Sequence, residues 1–230
     1  MIIKSVQKLT LIDFPKVIAC SVFLYGCNFR CPYCQNPELI IGPKEPSISL
    51  EEFFDFLKRR TGLIEGVCIT GGEPTINRDL PSFIIRVKEL GFKVKLDTNG
   101  SNPSMLEDLI EKGLLDYVAM DVKAPPYKYD VLAGVKVDEE KIKESVEVVK
   151  SSNIDYEFRV TIPPGFFTVR DIIEIGKWLK GSKKLYVQEF NSEKTLDGKL
   201  KGRKSDRNEL LKYRDVLRRF VECCEIRLVS

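Results

Sequence analysis

Short apolar segments rich in β-branched residues recur along the chain, each followed by a longer stretch whose apolar positions repeat every three to four residues. The short segments, Ile18–Leu24, Gly66–Thr70, Phe92–Thr98, Tyr117–Val122, Tyr156–Ile162 and Lys184–Phe190, are bounded by Gly, Pro or Asn and predict strands. The longer ones, at about Ser49–Thr61, Asp79–Leu90, Pro103–Lys112, Asp138–Ser151, Thr168–Leu179 and Asp206–Cys223, predict helices. Ser49 before Glu51 and Glu52, and Thr168 before Asp171, are plausible N-caps. Six βα units in succession predict a parallel sheet with right-handed crossovers. A further strand is expected at Ile2–Lys8, in an N-terminal extension covering about residues 1–16, and another at Glu225–Val229.

The parity within the strands distinguishes a barrel from an open sheet. In Phe92–Asn99 one face carries Val94 and Leu96, and the other Lys95, Asp97 and Asn99. Tyr117–Lys123 sets Val118, Met120 and Val122 against Asp121 and Lys123. Glu157, Arg159 and Thr161 share one parity, Phe158 and Val160 the other. A parallel sheet with helices on both faces is apolar on both. One charged face on three successive strands instead predicts a partial (β/α)6 TIM-like barrel with a polar lumen. A doubly wound sheet is the competing topology. Internal ion pairs are the simpler explanation of the charges, because buried charges need partners in any fold.

Composition narrows the setting. The chain has 230 residues, 43% apolar, with a formal charge of +3, enough for one core and a single domain over residues 1–230. That balance predicts no nucleic-acid partner, and the absence of a signal region or spanning apolar run predicts a cytoplasmic protein with no membrane contact. Seven cysteines argue for metal or redox chemistry over a disulfide framework. With no histidine, a metal must rest mainly on thiolate or carboxylate.

Cys27, Cys31 and Cys34 form C-x3-C-x2-C in the loop after the first repeat strand. Zinc ribbons bring two C-x2-C pairs and ferredoxin-type runs supply four cysteines per cluster, whereas here a fourth partner is missing. Three ligands on a four-iron cluster leave one iron open to a substrate or cofactor. Cys20 and Cys68 read as buried small hydrophobes, and Cys223 and Cys224 remain open.

CNFRCPYC, including the aromatic Tyr33 before the last cysteine, resembles the cluster motif of the radical S-adenosylmethionine (SAM) superfamily. GVCITGGEPT at 66–75 resembles the second signature of that superfamily, a turn formed here by Gly71, Gly72 and Glu73 that meets the methionine end of SAM. LDTNG at 96–100 and MDVKAP at 120–125 resemble segments of the glycyl-radical-enzyme activating branch. The resemblance implies a [4Fe-4S] cluster on Cys27, Cys31 and Cys34, and SAM beside it. It also implies that Asp97 meets the SAM amino group, Asp121 lies near the ribose and Lys123 pairs with the carboxylate. Asn99 belongs to the same cofactor-binding set, and Arg159, in FRVTIPPG, matches an arginine of that branch. No catalytic side chain is implied beyond cluster and SAM. Activating enzymes for pyruvate formate-lyase place a histidine on the ribose near the sixth strand, where this chain, which has none, offers QEFNSEK at 188–194, a departure from that subgroup.

The opening KLTLIDFPKVIACSVFLYGCNFRCPYCQNPELI resembles activating proteins of the anaerobic ribonucleoside-triphosphate reductase. About six βα units leave no room for an accessory ferredoxin-like insert. The implied reaction is reductive cleavage of SAM, driven by an external donor such as flavodoxin or ferredoxin, followed by hydrogen abstraction from a glycine of the reductase. Pro125–Lys136 and the basic stretch Asn191–Arg207 are candidate contacts with that glycyl-radical enzyme, the alternative for the latter being a solvated loop. Three rivals stand beside this reading: activation of another glycyl-radical enzyme such as pyruvate formate-lyase, a small-molecule radical SAM enzyme such as a deazapurine synthase, and a non-enzymatic iron–sulfur carrier or zinc scaffold.

Overall fold

The computed structural model describes residues 1–228. In chain order the elements are β1 (Ile3–Thr10), β2 (Ala19–Leu24), α1 (Glu38–Ile41), α2 (Leu50–Arg60), β3 (Gly66–Gly71), α3 (Leu80–Glu89) and β4 (Lys93–Thr98). They continue with α4 (Pro103–Glu111), β5 (Tyr117–Asp121), α5 (Tyr129–Ala133), α6 (Glu139–Ser151), β6 (Asp155–Ile162), α7 (Val169–Trp178), β7 (Lys184–Glu189), α8 (Arg207–Leu217) and β8 (Cys223–Arg227). The eight strands lie side by side in sequence order. β1 runs antiparallel to β2 and every later pair is parallel. The sheet order ends at β1 and β8, which makes a partial barrel of six βα units with one further parallel strand.

Local chemistry starts the helices where the sequence predicts. Ser49 and Thr168 close capping boxes with Glu52 and Asp171, each side chain accepting from the other end's backbone N–H. α2 then buries Phe53, Phe54 and Leu57, and the first two rings lie 5.5 and 5.4 Å from Phe83 of α3. On β4, β5 and β6 the positions Val94, Leu96, Val118, Met120, Phe158 and Val160 are fully buried in this helix-covered core. The opposite parity carries the charges into the lumen, as the alternation requires.

A second, smaller core lies in the lumen itself. Phe14 and Val17, from the β1–β2 connection, pack with Ala19, Tyr117 and Ala119. The Phe14 ring centroid is 6.1 Å from that of Tyr117. Gly66 makes room for the plug, because a Cβ there would stand 2.9 Å from Val17 and 3.0 Å from Phe14. Burying Phe14 contributes about 2 kcal/mol and seals the N-terminal end of the barrel.

The C-terminal stretch departs from the helix expected over Asp206–Cys223. α8 stops at Leu217, and hydrogen bonds from Gly181 N–H to Phe220 O (2.9 Å) and from Glu222 N–H to Ser182 O (3.0 Å) draw the chain alongside β7. Cys223 and Cys224 therefore open β8, two residues before the expected strand, whose Val229 lies outside the described residues. The four-residue α1 and five-residue α5 were not expected, being too short to show a helical period. No helix among the described residues is long and apolar enough to cross a membrane.

Candidate active site

The C-terminal ends of the strands and the loops beyond them enclose a cavity of about 230 Å³. Cys27, Cys31, Cys34, Tyr33, Gly71, Gly72, Glu73, Asp97, Asn99, Asp121, Lys123 and Arg159 all line it. The structure thus brings together every cluster and cofactor position singled out in the sequence. It adds Thr70, Thr161 and Gln188. Thr161 already had lumen parity, and Gln188 is its neighbour in the β6–β7 register, so strand alternation was the signal for both.

The cysteine loop is held from four sides. Glu73 N–H donates to Gly26 O at 2.8 Å, and Asn99 Nδ2 to Asn28 Oδ1 at 2.9 Å. Arg30 N–H donates to Ala133 O at 2.7 Å, and Asp197 N–H to Pro32 O at 2.9 Å. Two glycines permit this approach. A Cβ on Gly72 would lie 1.9 Å from Gly26 O, and one on Gly134 2.1 Å from Arg30 O. Within the loop, Phe29 N–H donates to Cys27 Sγ at 3.3 Å.

All three cysteines are free thiols. Burial pushes Cys27 up to about 12 and raises Cys31 and Cys34, and the Lys123 ammonium opposes the rise in each. Loading with a metal or cluster therefore releases protons. Among the described residues no three Cys, Asp or Glu side chains converge as one metal ion would require. A multi-iron cluster takes its thiolates at separate corners instead.

Glu73 is nearly inaccessible, and its carboxylate is occupied by the protein. Oε1 accepts from Thr75 N–H, Thr75 Oγ1 and Thr98 Oγ1 at 3.0, 2.6 and 2.8 Å, and Oε2 accepts from Asn99 N–H at 2.6 Å. Burial raises its pKa even against these four donors. Glu73 thereby ties the turn after β3 to the end of β4.

The charged lumen faces meet as a chain of ion pairs. Asp97 accepts from Lys95 and, at 3.2 Å, from Arg159 Nη1. Arg159 Nε also donates to Asp121 Oδ1 at 2.7 Å, and Lys123 Nζ to Asp121 Oδ2 at 2.9 Å. Internal pairing, the simpler explanation of the lumen charges, is thus what these side chains do among themselves. Burial alone would raise both aspartates, but Arg159 with Lys95 holds Asp97 below the usual carboxylate range, and Arg159 with Lys123 holds Asp121 well below it. Three cations share two carboxylates in this layer, and of the three Lys123 and Arg159 line the cavity that holds the cysteines. Beneath it, Glu157 pairs with Arg227 at 2.8 Å and accepts from Tyr117 Oη at 2.9 Å. The Tyr33 hydroxyl is the one buried side-chain polar atom among the described residues without a hydrogen-bond partner.

Of the remaining cysteines, Cys20 is buried among apolar side chains, as expected. Cys68 is equally buried but faces the lumen, 3.7 Å from Lys95 Nζ, a more polar neighbourhood than its strand alone suggested.

The family model described as the Radical SAM superfamily matches residues 21–179. A Methanocaldococcus jannaschii protein, provisionally named a glycyl-radical enzyme activating enzyme, is 34% identical over 238 residues, covering 100% of this chain and 97% of its own. The 7-carboxy-7-deazaguanine synthase of Aquifex aeolicus is 36% identical over 93 residues, 40% of this chain and 39% of its own. Among solved structures, Streptococcus suis SuiB bound to S-adenosylmethionine shares the fold with a TM-score of 0.66 at 15% identity, over 90% of this chain and 49% of SuiB.

Proposed function

From the premise that this chain belongs to the radical SAM superfamily, and is an enzyme of [4Fe-4S] cluster and SAM, we propose that it installs a glycyl radical on the anaerobic ribonucleoside-triphosphate reductase. In this reading it acts as a single cytoplasmic domain.

The residues present fit both groups. Three free thiols on one clamped loop suit a cluster with one open iron. The close-approach glycines, the orphaned Tyr33 hydroxyl and the Lys123 ammonium that lines the same cavity suit a ligand with a carboxylate and polar edges. Cys27, Cys31 and Cys34 would hold the cluster. Lys123 would turn from Asp121 to the SAM carboxylate, and Asp97 would take the amino group. Arg159, bonded to both aspartates, would keep the two carboxylates apart and charged. Asp121, with Thr161 and Gln188 at the same end of the cavity, would supply polar groups toward the ribose in a chain without histidine. Together the bound cluster and SAM supply reductive sulfonium cleavage and the abstraction of a hydrogen atom. The protein orients the groups and excludes water, and it needs no acid–base residue for a hydrogen-atom transfer.

The observation carrying this reading is that every motif position lines one cavity, in a chain alignable from end to end with a protein named for glycyl-radical enzyme activation. Similarity to deazaguanine synthases supports a small-molecule alternative, but it covers 40% of the chain for the Aquifex aeolicus enzyme and 58% for that of Thermoplasma acidophilum, against 100% for the Methanocaldococcus jannaschii protein. The test is anaerobic reconstitution with iron and sulfide, then reductant and SAM, with 5′-deoxyadenosine assayed with and without the reductase. A glycyl EPR doublet on the reductase is the expected result. Cleavage driven by a deazapurine precursor, with no protein radical, would favour the alternative, and Cys31→Ala retaining full cluster absorbance would sink both.

A further inference from the structure

Residues 191–205, between β7 and α8, lie as a strap against the outer edge of the cysteine loop, and we propose that this strap is the docking surface for an acidic one-electron carrier protein that reduces the cluster. The inference rests on the reading of Cys27, Cys31 and Cys34 as cluster ligands.

The strap is tied down. Gly202 N–H donates to Ser192 O at 3.1 Å and closes its neck, while Phe190 N–H donates to Ser205 Oγ at 3.3 Å and closes its base. Leu200 is buried beneath it, at the end of a short helical turn, Gly198–Leu200, capped by Asp197. Asp197 N–H then reaches Pro32 O, and Lys194 pairs with Glu38 at 3.6 Å. A compact loop with closed ends and its own anchor is a built surface.

What the strap presents is charge. Lys199, Lys201, Arg203 and Lys204 are exposed, and among the described residues none of the four forms an ion pair. No large apolar side chain of the strap is exposed. The segment clamping the other side of the cysteine loop differs, because Tyr127 and Val131 stand open to solvent there, 60% and 56% exposed. A partner that buries an apolar anchor finds it on that side. A cationic surface without apolar anchors suits the small, short-lived, salt-sensitive encounters of electron transfer, and it steers an acidic protein toward itself.

Position completes the argument. Pro32 lies between Cys31 and Cys34, so a carrier on the strap stands beside the loop that bears all three thiolates, next to the last two of them. It has no need to enter the cavity, which stays free for SAM and the glycine-bearing partner. One electron leaves the reduced cofactor of the carrier, which is oxidised by one equivalent, and enters the cluster, which is reduced by one; no atom moves.

The test uses the reconstituted holoprotein and its triple variant K199E/K201E/R203E, mixed anaerobically with a reduced acidic flavodoxin, with cluster bleaching followed by absorbance. Photoreduced 5-deazariboflavin serves as the small reductant. The wild-type rate with flavodoxin is expected to fall as salt is raised, and the variant to be slower by about tenfold at low salt. Reduction by the deazaflavin is expected to be equal in both. A flavodoxin rate unchanged in the variant, or insensitive to salt in the wild type, would overturn the proposal. Absence of a reducible cluster in both proteins would instead strike the cysteine assignment beneath it.

Discussion

Asn99 at the end of β4 grips Asn28 in the cysteine loop: its Nδ2 donates to Asn28 Oδ1 at 2.9 Å and stands 4.0 Å from Cys27 Sγ. Asn99 is itself fixed, since its N–H bonds Glu73 and its Oδ1 accepts from Ser101 N–H at 2.9 Å. Partners of this kind orient a ligand and slow its escape. Asn99→Ala is expected to fold and to load a cluster that loses iron to a chelator about tenfold faster. An unchanged rate of iron release would refute the role.

Gly72 and Gly62 separate steric need from backbone preference. A methyl on Gly72 meets the Gly26 carbonyl at 1.9 Å, a backbone atom that cannot step aside. Gly62 has φ of +79° with nothing within 4 Å of its would-be Cβ. Gly62→Ala is expected to cost about 1 kcal/mol in urea unfolding, and Gly72→Ala about 3 kcal/mol or more together with cluster loading. Equal losses in the two variants would contradict the contact.

Tyr33→Phe removes the orphaned hydroxyl and keeps the ring. Without ligand the variant is expected to be more stable by about 1 kcal/mol, because a buried donor without a partner is costly. SAM affinity of the cluster-loaded protein, read by equilibrium dialysis, is expected to fall. Stability and affinity moving in the same direction would show that the hydroxyl does not await a ligand.

Asp171 gives an acid-side signature. Burial would raise its pKa, but the Tyr127 hydroxyl, the Thr168 N–H and hydroxyl and the Lys128 ammonium bring it down to about 2. A carboxylate depressed in the folded state stabilises above its unfolded pKa, and that contribution is lost as pH falls from about 4 toward 2. Asp171→Asn is expected to lose about 2 kcal/mol at pH 6, with the difference from wild type shrinking below pH 4. A pH-independent difference would assign the loss to packing.

Strand parity makes the lumen legible in the sequence, because alternation depends on the chain alone. Asp97, Asp121, Lys123 and Arg159 could therefore be placed on one surface. Their pairing could not, since which cation meets which carboxylate depends on register between strands, as in Asp121 opposite Arg159. Glu73 was recognisable as part of a turn, but the four donors that occupy it come from that turn and from the end of β4, brought together only by the fold. The plug was invisible for a related reason: Phe14 and Val17 sit in a connection with no period, and only sheet curvature gives them a cavity to fill. The strap showed its charge in the sequence, while its hold on Pro32 is a contact between distant parts of the chain.

The sealed floor has a kinetic consequence. With Phe14 and Val17 stopping the lower end and the ion-paired layer lying across the lumen above them, the chamber is a cul-de-sac. Whatever enters first leaves last. Under the proposed reaction, a polypeptide lying over the entrance would cork spent methionine and nucleoside inside, so each docking event would yield a single turnover and departure of the activated partner would have to precede reloading.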